Sequence, residues 1–147
     1  MIPHAVEILL VEDNPNDIRL AMDAFESNHL ANRVEVLRDG AEALDYLFRE
    51  GVYAGQSPAP NPKVLLLDLK LPLVDGLEVL EKLKADPRTR HIPVVVLTSS
   101  QEDLDISRAY QLGANSYIVK PVEFDKLTEV VKHLGFYWLL LNQAPNG

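Results

Sequence analysis

Residues 64–72 read Val-Leu-Leu-Leu-Asp-Leu-Lys-Leu-Pro, an apolar run that carries one carboxylate, Asp68. Pro62 and Pro72 bound the run, whose continuous apolar character predicts a β-strand buried on both faces. An unpaired ionised carboxylate is costly to bury, so we expect Asp68 at the carboxyl end of the strand or beside cations. Ligands bind at those ends in parallel sheets covered by helices. Asp68 is the first functional candidate, although a solvated loop carboxylate is the simpler alternative.

The composition is that of an ordinary globular domain. The chain has 147 residues, of which 47% are hydrophobic and 24% charged, enough for a single core. Its formal net charge of −8 and its lack of a Lys/Arg cluster argue against a nucleic-acid partner. Without cysteine it has no disulfide and no thiolate metal site. Since neither a signal peptide nor a membrane-length apolar run is visible, we expect a cytoplasmic protein with no membrane partner.

Short apolar segments alternate with helix-like segments five times along the chain. Strands are predicted at residues 7–11, 33–37, 64–72, 93–97 and 116–119. This alternation predicts right-handed βαβ units and a doubly wound parallel sheet of the α/β class. The second strand is more polar than the others, which favours an edge position. We therefore predict a flavodoxin-like (βα)5 fold with strand order 2-1-3-4-5.

Helix-start residues follow several of these strands. Asp13 or Asn14 could cap the first helix, and Pro15 suits its first position. Ser100 and Asp103 resemble a capping box, which predicts that the fourth helix starts there. The fourth helix has the weakest apolar face of the set. The last helix is predicted to begin at Glu123, with these side chains facing inward: Phe124, Leu127, Val130, Val131 and Leu134.

Polar residues follow four of the predicted strands. Glu12 and Asp13 follow the first, Asp68 lies near the end of the third, Thr98 ends the fourth and Lys120 follows the fifth. In the order 2-1-3-4-5 these four strands are neighbours, so their end residues meet in one crevice. Crowded carboxylates cannot all stay ionised cheaply, and a divalent cation relieves the repulsion. Oxygen ligands without His or Cys, with room for water, favour Mg²⁺.

The residues Glu12-Asp13, Asp68, Thr98 and Lys120-Pro121 resemble the signature of the receiver domain of two-component response regulators. The resemblance extends over residues 6–134 and implies that Asp68 accepts a phosphoryl group from a sensor histidine kinase. It implies a single receiver domain over residues 1–147. Such a protein is no enzyme toward a separate substrate, since it catalyses only its own phosphorylation and dephosphorylation.

The resemblance also implies a metal site. Asp13 and Asp68 would bind Mg²⁺ directly together with the main-chain carbonyl of Lys70, and Glu12 would bind it through water. Mn²⁺ is an expected substitute. The chemistry agrees, because a carboxylate can attack a phosphoryl group and form an aspartyl phosphate, and catalysis then consists mainly of positioning and charge neutralisation.

Three further residues receive roles from the same resemblance. Thr98 and Lys120 would contact the phosphoryl group, and Tyr117 would be an aromatic switch residue that fills the space vacated by Thr98. The Lys120–Pro121 peptide bond is expected to be cis. Phosphorylation adds negative charge and acceptor oxygens that Thr98 can hydrogen-bond. We expect the weakly patterned fourth helix to respond, which would change a protein-interaction surface.

Simpler or competing interpretations stay open. Asp13 could be only a helix cap, Lys120 a solvated lysine and Tyr117 a core residue. A haloacid-dehalogenase-type phosphatase also forms an aspartyl phosphate, but it needs an acid where this chain has Lys70. A flavodoxin-type carrier needs a phosphate-binding loop after the first strand, where Glu12 and its neighbours would repel phosphate. A degenerate receiver acting as a phosphorylation-independent binding scaffold is the remaining alternative.

Two features narrow the resemblance within the receiver family. The long loop at residues 51–63 and the absence of an output domain from this sequence resemble small stand-alone regulators. Those regulators partner phytochrome-type histidine kinases in cyanobacteria and other bacteria. Lys70 and Ser100 flank the expected path of attacking water, which suggests that they tune the lifetime of the phosphorylated state.

The carboxyl-terminal segment predicts a protein interface. Residues 136–141 read Phe-Tyr-Trp-Leu-Leu-Leu, more apolar surface than one helix face can bury. We expect residues 135–147 to extend the last helix and, with it, to form a homodimer, because aromatic residues are enriched in interface cores. The alternative is a tail that folds back on its own domain.

Overall fold

The computed structural model describes residues 6–55, 61–143 and 145. Its strands are β1 (Ile8–Val11), β2 (Val34–Leu37), β3 (Val64–Leu67), β4 (Val94–Thr98) and β5 (Ser116–Val119). Its α-helices are α1 (Pro15–Ser27), α2 (Gly40–Phe48), α3 (Gly76–Ala85), α4 (Asp103–Leu112) and α5 (Phe124–Leu134). Short 3-10 turns occur at Ala31–Arg33 and Gly51–Tyr53, and a π-helical segment, Gly135–Leu141, continues α5.

The strands form one parallel sheet in the order β2-β1-β3-β4-β5. This confirms the predicted flavodoxin-like topology and the edge position of β2. Val11 at the end of β1 lies opposite Leu67 at the end of β3, and Thr98 of β4 lies opposite Val119 of β5. The residues that follow these pairs therefore leave the sheet at the same edge.

The sheet is covered by helices on both faces. Alternate strand residues point to opposite sides, and each set joins a separate buried cluster. Leu9, Leu65 and Val96 belong to the cluster that includes side chains of α2, α3 and α4. Leu10 and Leu66 belong to the cluster that includes side chains of α1 and α5. Because both faces are buried, β1, β3 and β4 have continuous apolar sequences, as parallel strands usually do.

Two sequence predictions about helix ends are wrong. Helix α4 begins at Asp103 with Glu102 as its N-cap and no side-chain cap hydrogen bond, so Ser100 lies two residues before the cap and does not close a capping box. Its hydroxyl instead donates to Asp105 at 2.5 Å and accepts from the Glu102 N–H at 3.4 Å. In α5, Phe124 is 40% exposed, not buried. The exposed neighbours Glu123 and Asp125 place this first turn outside the packed layer.

Helix α4 has the least buried face. Ala109 is its one buried residue, while Leu104 and Tyr110 are exposed. This agrees with the weak apolar pattern of its sequence. Core packing therefore holds this helix through few side chains.

Part of the predicted irregular loop falls outside the described residues. Residues 51–55 contain the 3-10 turn and residues 61–63 lead into β3, whereas residues 56–60 are not described. The assignment of residues 1–147 to one domain stays a prediction. Among the helices in the described ranges, none combines the length and apolar character needed to cross a membrane.

Candidate functional site

Asp68 directly follows β3 and lies at the carboxyl edge of the sheet. Asp68 is only 6% exposed, and its Oδ1 accepts a hydrogen bond from the Lys70 backbone N–H at 3.2 Å. The start of α3 packs closely beside it, because a Cβ on Gly76 would lie 2.2 Å from the Asp68 carbonyl oxygen and 2.6 Å from the Cα of Leu69. Gly76 therefore lets the chain turn tightly next to the carboxylate.

The loop between β1 and α1 places two more carboxylates at this edge. Asn14 caps α1, since its Oδ1 accepts from the backbone N–H groups of Asn16 at 2.9 Å and Asp17 at 3.1 Å. Asp13, the other predicted cap, is exposed and leaves capping to Asn14. The buried Glu12 accepts from the backbone N–H of Asp13 at 3.0 Å through Oε2. The turn thus fixes the Glu12 carboxylate.

Glu12, Asp13 and Asp68 form an acidic cluster. Each can offer a carboxylate oxygen such that the three oxygens lie within 4.8 Å of one another. Two members are buried and Asp13 is exposed, so the cluster opens to solvent on one side. Three hard oxygen donors with one open side fit a divalent cation that keeps several water ligands, as Mg²⁺ does.

The Lys120 ammonium lies between three carboxylates. Its Nζ donates to Glu12 Oε1 at 2.6 Å, to Asp17 Oδ2 at 2.7 Å and to Asp68 Oδ2 at 3.2 Å. Its side chain is only 13% exposed. The Lys120–Pro121 peptide bond is cis, as expected. An ammonium has three N–H donors, and each has a carboxylate partner here.

Sequence reasoning missed Asp17. It lies in the first turn of α1, where an acidic residue is common because it interacts favourably with the helix dipole. Because the helix dipole already accounts for an acidic residue at this position, the sequence offered no separate reason to expect the contact with Lys120. The available signal was its position, since a residue in the first turn after Asn14 lies near the same sheet edge as Glu12.

The pKa values of the two buried carboxyl groups, Glu12 and Asp68, shift in opposite directions. Burial raises the pKa of Glu12 to about 7, with Asp68 adding to the effect and the hydrogen bond from Lys120 opposing it. Burial acts in the same direction on Asp68, but hydrogen bonds from the Thr98 hydroxyl, Glu12 and the Lys70 N–H, together with the Lys120 charge, bring its pKa below the ordinary value. At neutral pH Asp68 is therefore anionic, the state that a nucleophile needs.

The same surroundings keep Lys120 charged. Burial alone would lower its pKa, but the hydrogen bonds to Asp17 and Glu12 and the charge of Asp68 raise it above the ordinary value. The site therefore presents a permanent cation beside an anionic carboxylate. That pairing suits the binding of an incoming anion next to Asp68.

A second set of contacts connects Thr98 with α4. The buried Thr98 Oγ1 accepts from the Ser100 N–H at 3.5 Å, and the Tyr117 hydroxyl donates to the Ser100 carbonyl at 3.0 Å. Asp105 Oδ2 accepts from the Ser100 hydroxyl at 2.5 Å and lies 3.5 Å from Lys70 Nζ. The predicted switch residues are thus linked to the first turn of α4 through Ser100 and Asp105.

The structure brings most of the predicted site residues together. Glu12, Asp68 and Lys120 are in direct contact, with Asp13 beside them. Tyr117 lies one step away through Ser100. The roles assigned to these residues stay predictions, and so does the role of the Lys70 carbonyl. Their arrangement supplies an anionic nucleophile, a cation, a hydroxyl and a metal-compatible acid cluster, the parts that phosphoryl transfer requires.

Comparison with known proteins gives a family match over most of the chain. The family model described as the response regulator receiver domain matches residues 8–132. The probable methanogenesis regulatory protein FilR2 of Methanothrix harundinacea is 50% identical over 139 residues, which cover 94% of this chain and 86% of that protein.

Two solved structures show the same likeness in three dimensions. The phosphorylated cyanobacterial phytochrome response regulator RcpA has a TM-score of 0.83 at 42% identity, over 97% of this chain and 100% of that one. The Mn²⁺-bound form of the response regulator Rcp1 has a TM-score of 0.81 at 36% identity, over 98% of this chain and 100% of that one. Rcp1 comes from Synechocystis sp.. Stand-alone phytochrome response regulators are thus among the close relatives of this chain.

Proposed function

Because the chain belongs to the response regulator receiver domain family, we propose that Asp68 accepts a phosphoryl group from a phosphohistidine of a sensor histidine kinase. The observation that carries the proposal is the position of Asp68, anionic and almost buried, with the Lys120 ammonium 3.2 Å from its Oδ2. A buried carboxylate held only for stability would not need an acid cluster that opens to solvent beside it.

The reaction is a direct phosphoryl transfer. A carboxylate oxygen of Asp68 forms a bond to phosphorus while the bond from phosphorus to the imidazole nitrogen breaks, and the imidazole keeps the electron pair. Lys120 neutralises charge on the transferred oxygens, and the Thr98 hydroxyl donates a hydrogen bond to one of them. In this role the protein is a phosphoacceptor and not an enzyme acting on a separate substrate.

A divalent cation completes the proposal. The acid cluster of Glu12, Asp13 and Asp68 fits Mg²⁺ by its donor chemistry, and the Lys70 carbonyl is the fourth predicted protein ligand. When bound, Mg²⁺ would neutralise phosphoryl oxygens that the lysine alone leaves charged. The Mn²⁺-bound form of Rcp1 supports Mn²⁺ as a substitute in this chain.

Phosphorylation is proposed to act on α4 and its surroundings. A phosphoryl group on Asp68 would offer acceptor oxygens to the Thr98 hydroxyl, which also accepts from the Ser100 N–H. Movement of this segment would disturb the Tyr117 hydrogen bond and the contact between Ser100 and Asp105. Because α4 buries little surface, the loss of these polar contacts is expected to shift it and to change its interaction surface.

The kinase partner is proposed to be of the phytochrome type, with the cytoplasm as the compartment of the reaction. The support is the likeness to phytochrome response regulators such as RcpA. The likeness to FilR2, named a probable methanogenesis regulatory protein, makes a kinase of another sensory class the second candidate. Phosphotransfer from one purified kinase of each class, compared by initial rate, separates them.

A homodimer through α5 and the segment Gly135–Leu141 is also proposed. The segment has one buried and one exposed face. Leu139 is buried against the domain, whereas Phe136 and Leu140 are 59% and 71% exposed. The two exposed side chains line a groove of about 470 Å³ together with Leu30. One face thus folds back on the domain, and the other leaves the exposed apolar surface that a second copy would cover.

Phosphorylation by a small donor tests the function without knowledge of the kinase. The protein is incubated with acetyl phosphate and Mg²⁺ and measured by intact mass spectrometry. The proposal expects one added phosphoryl group in the wild type and none in Asp68→Asn. A wild type that gains none under saturating Mg²⁺ would support the degenerate scaffold instead, and an unchanged gain in Asp68→Asn would place the chemistry elsewhere.

A further inference from the structure

Asp17 makes a contact that the acid cluster does not explain. Its Oδ2 lies 2.7 Å from Lys120 Nζ, nearly as close as the Glu12 Oε1 at 2.6 Å. Yet Asp17 is not among the residues whose oxygens group together as a metal-binding set, Glu12, Asp13 and Asp68. The ammonium is therefore shared between two acids that can hold a cation and one acid outside that set.

The sharing creates a competition at the site. Without a metal, the Lys120 ammonium neutralises Glu12 and Asp68, the carboxylates that Mg²⁺ would need. A bound cation requires those oxygens to turn toward it and also repels the ammonium. Lys120 can release the oxygens of Glu12 and Asp68 at low cost only if another anion accepts the hydrogen bonds of its ammonium group.

The local structure fixes Asp17 for that purpose. Its backbone N–H donates to the Asn14 cap at 3.1 Å, so the first turn of α1 holds its Cα in place. Its side chain is 34% exposed, and that of Lys120 is 13% exposed. The pair is thus partly desolvated, so its Coulomb attraction is screened less than that of an ion pair on the open surface.

We propose that Asp17 is a positioning residue that holds the Lys120 ammonium when a divalent cation binds, so that the ammonium releases the carboxylate oxygens of Glu12 and Asp68 to the cation. The inference rests on the proposed function, because it assigns a task at the same site. Its consequence is that loss of the Asp17 charge leaves Lys120 on the two cluster acids, where it competes with Mg²⁺.

The first measurement is Mg²⁺ affinity by isothermal titration calorimetry with Mg²⁺ alone. Asp17→Asn is expected to weaken binding by about threefold to tenfold, the effect of one partly buried ion pair. Asp17→Glu, which keeps the charge, should restore most of the affinity. The matched control is Asp23→Asn, which removes an equal charge from an exposed position of the same helix and should change the affinity by less than about twofold.

A second measurement, made in the Lys120→Ala variant, distinguishes positioning of Lys120 by Asp17 from a direct effect of the Asp17 charge on the cation. In Lys120→Ala the competitor is absent, so adding Asp17→Asn should leave Mg²⁺ affinity within about twofold of that of Lys120→Ala alone. If Asp17 acts only through its own charge, the weakening will persist in that background and the inference is overturned. Melting curves of all variants verify that they are folded before affinities are compared.

The failures of the two proposals can be told apart. If the wild type gains a phosphoryl group from acetyl phosphate but Asp17→Asn binds Mg²⁺ as tightly as the wild type, only the role of Asp17 is wrong. If the wild type binds no Mg²⁺ and gains no phosphoryl group, the proposed function itself is wrong.

Discussion

Glu12 Oε1 lies 2.6 Å from Lys120 Nζ although 108 residues separate them in the chain. The two residues follow β1 and β5, strands that are not neighbours in the sheet. Only the shared carboxyl edge of the parallel sheet brings them together, with Asp68 after β3 between them. The contact therefore depends on the strand order, which places the ends of β1, β3 and β5 along one edge.

Mg²⁺ affinity should rise with pH between 6 and 8. The pKa of Glu12 is raised to about 7, chiefly by burial, and the carboxyl must lose its proton before it can help to hold a cation. One unit below that value roughly one in ten molecules is ionised, so binding should be about tenfold weaker at pH 6 than at pH 8. Calorimetry at several pH values measures the slope.

The control for this pH effect is Glu12→Gln, which should flatten the profile because the titrating group is gone. For the metal-free protein, the quantity to consider is folding stability, and the contribution of Glu12 to it changes with pH in the opposite direction. The stability contributed by protonated Glu12 is fully present below its ordinary value of 4.5 and is lost as pH rises through about 7. An affinity that falls with rising pH in this range would contradict the account.

The sequence predicted the sheet and the positions of the polar end residues for identifiable reasons. Strands buried on both faces have continuous apolar runs, and Glu35 marked β2 as the edge strand. Once the strand order was known, residues such as Asp68 and Lys120 had to lie at one edge. These predictions depend on chain direction and residue type, which the sequence contains.

The missed features depend on side-chain geometry that periodicity does not encode. The contact between Asp17 and Lys120 requires a particular lysine direction after β5. Likewise, Ser100 bonds Asp105 instead of capping α4, because the loop after β4 sets which α4 acid lies within reach. Local spacing could suggest a cap, but it could not choose between two acids on the same helix.

Substitution of Gly76 should destabilise the protein and distort the site. A Cβ there would lie 2.2 Å from the Asp68 carbonyl oxygen, a backbone atom that cannot move aside easily. Gly76→Ala should therefore lower the free energy of unfolding by about 3 kcal/mol, at the upper end of the cost of overpacking. Chemical denaturation of both proteins measures the difference.

Gly55→Ala provides the comparison for this steric effect. An added Cβ at Gly55 meets no atom of the described residues within 4 Å, and its positive φ of 79° is the strain that these residues impose on a side chain there. Its cost should be about 1 kcal/mol. Equal losses for the two variants would show that the close approach of Gly76 to Asp68 is not the cause.

The proposed dimer can be tested at the exposed face of the carboxyl-terminal segment. Phe136→Asp combined with Leu140→Asp should turn a dimer into a monomer in light scattering while changing the melting temperature of the monomer little, because both side chains are largely exposed. The buried Leu139 is the control, and Leu139→Ala should instead cost about 3 kcal/mol of stability. A wild type that is monomeric at high concentration would exclude the interface.

The central claim is that Asp68 itself becomes an aspartyl phosphate. Borohydride reduces such an acyl phosphate to homoserine, so the protein is treated with acetyl phosphate and Mg²⁺, reduced, digested and sequenced by mass spectrometry. The account predicts homoserine at position 68 in the wild type, dependent on both the donor and Mg²⁺. Homoserine at another acid of the cluster, or at no position while phosphoryl groups are taken up, would contradict it.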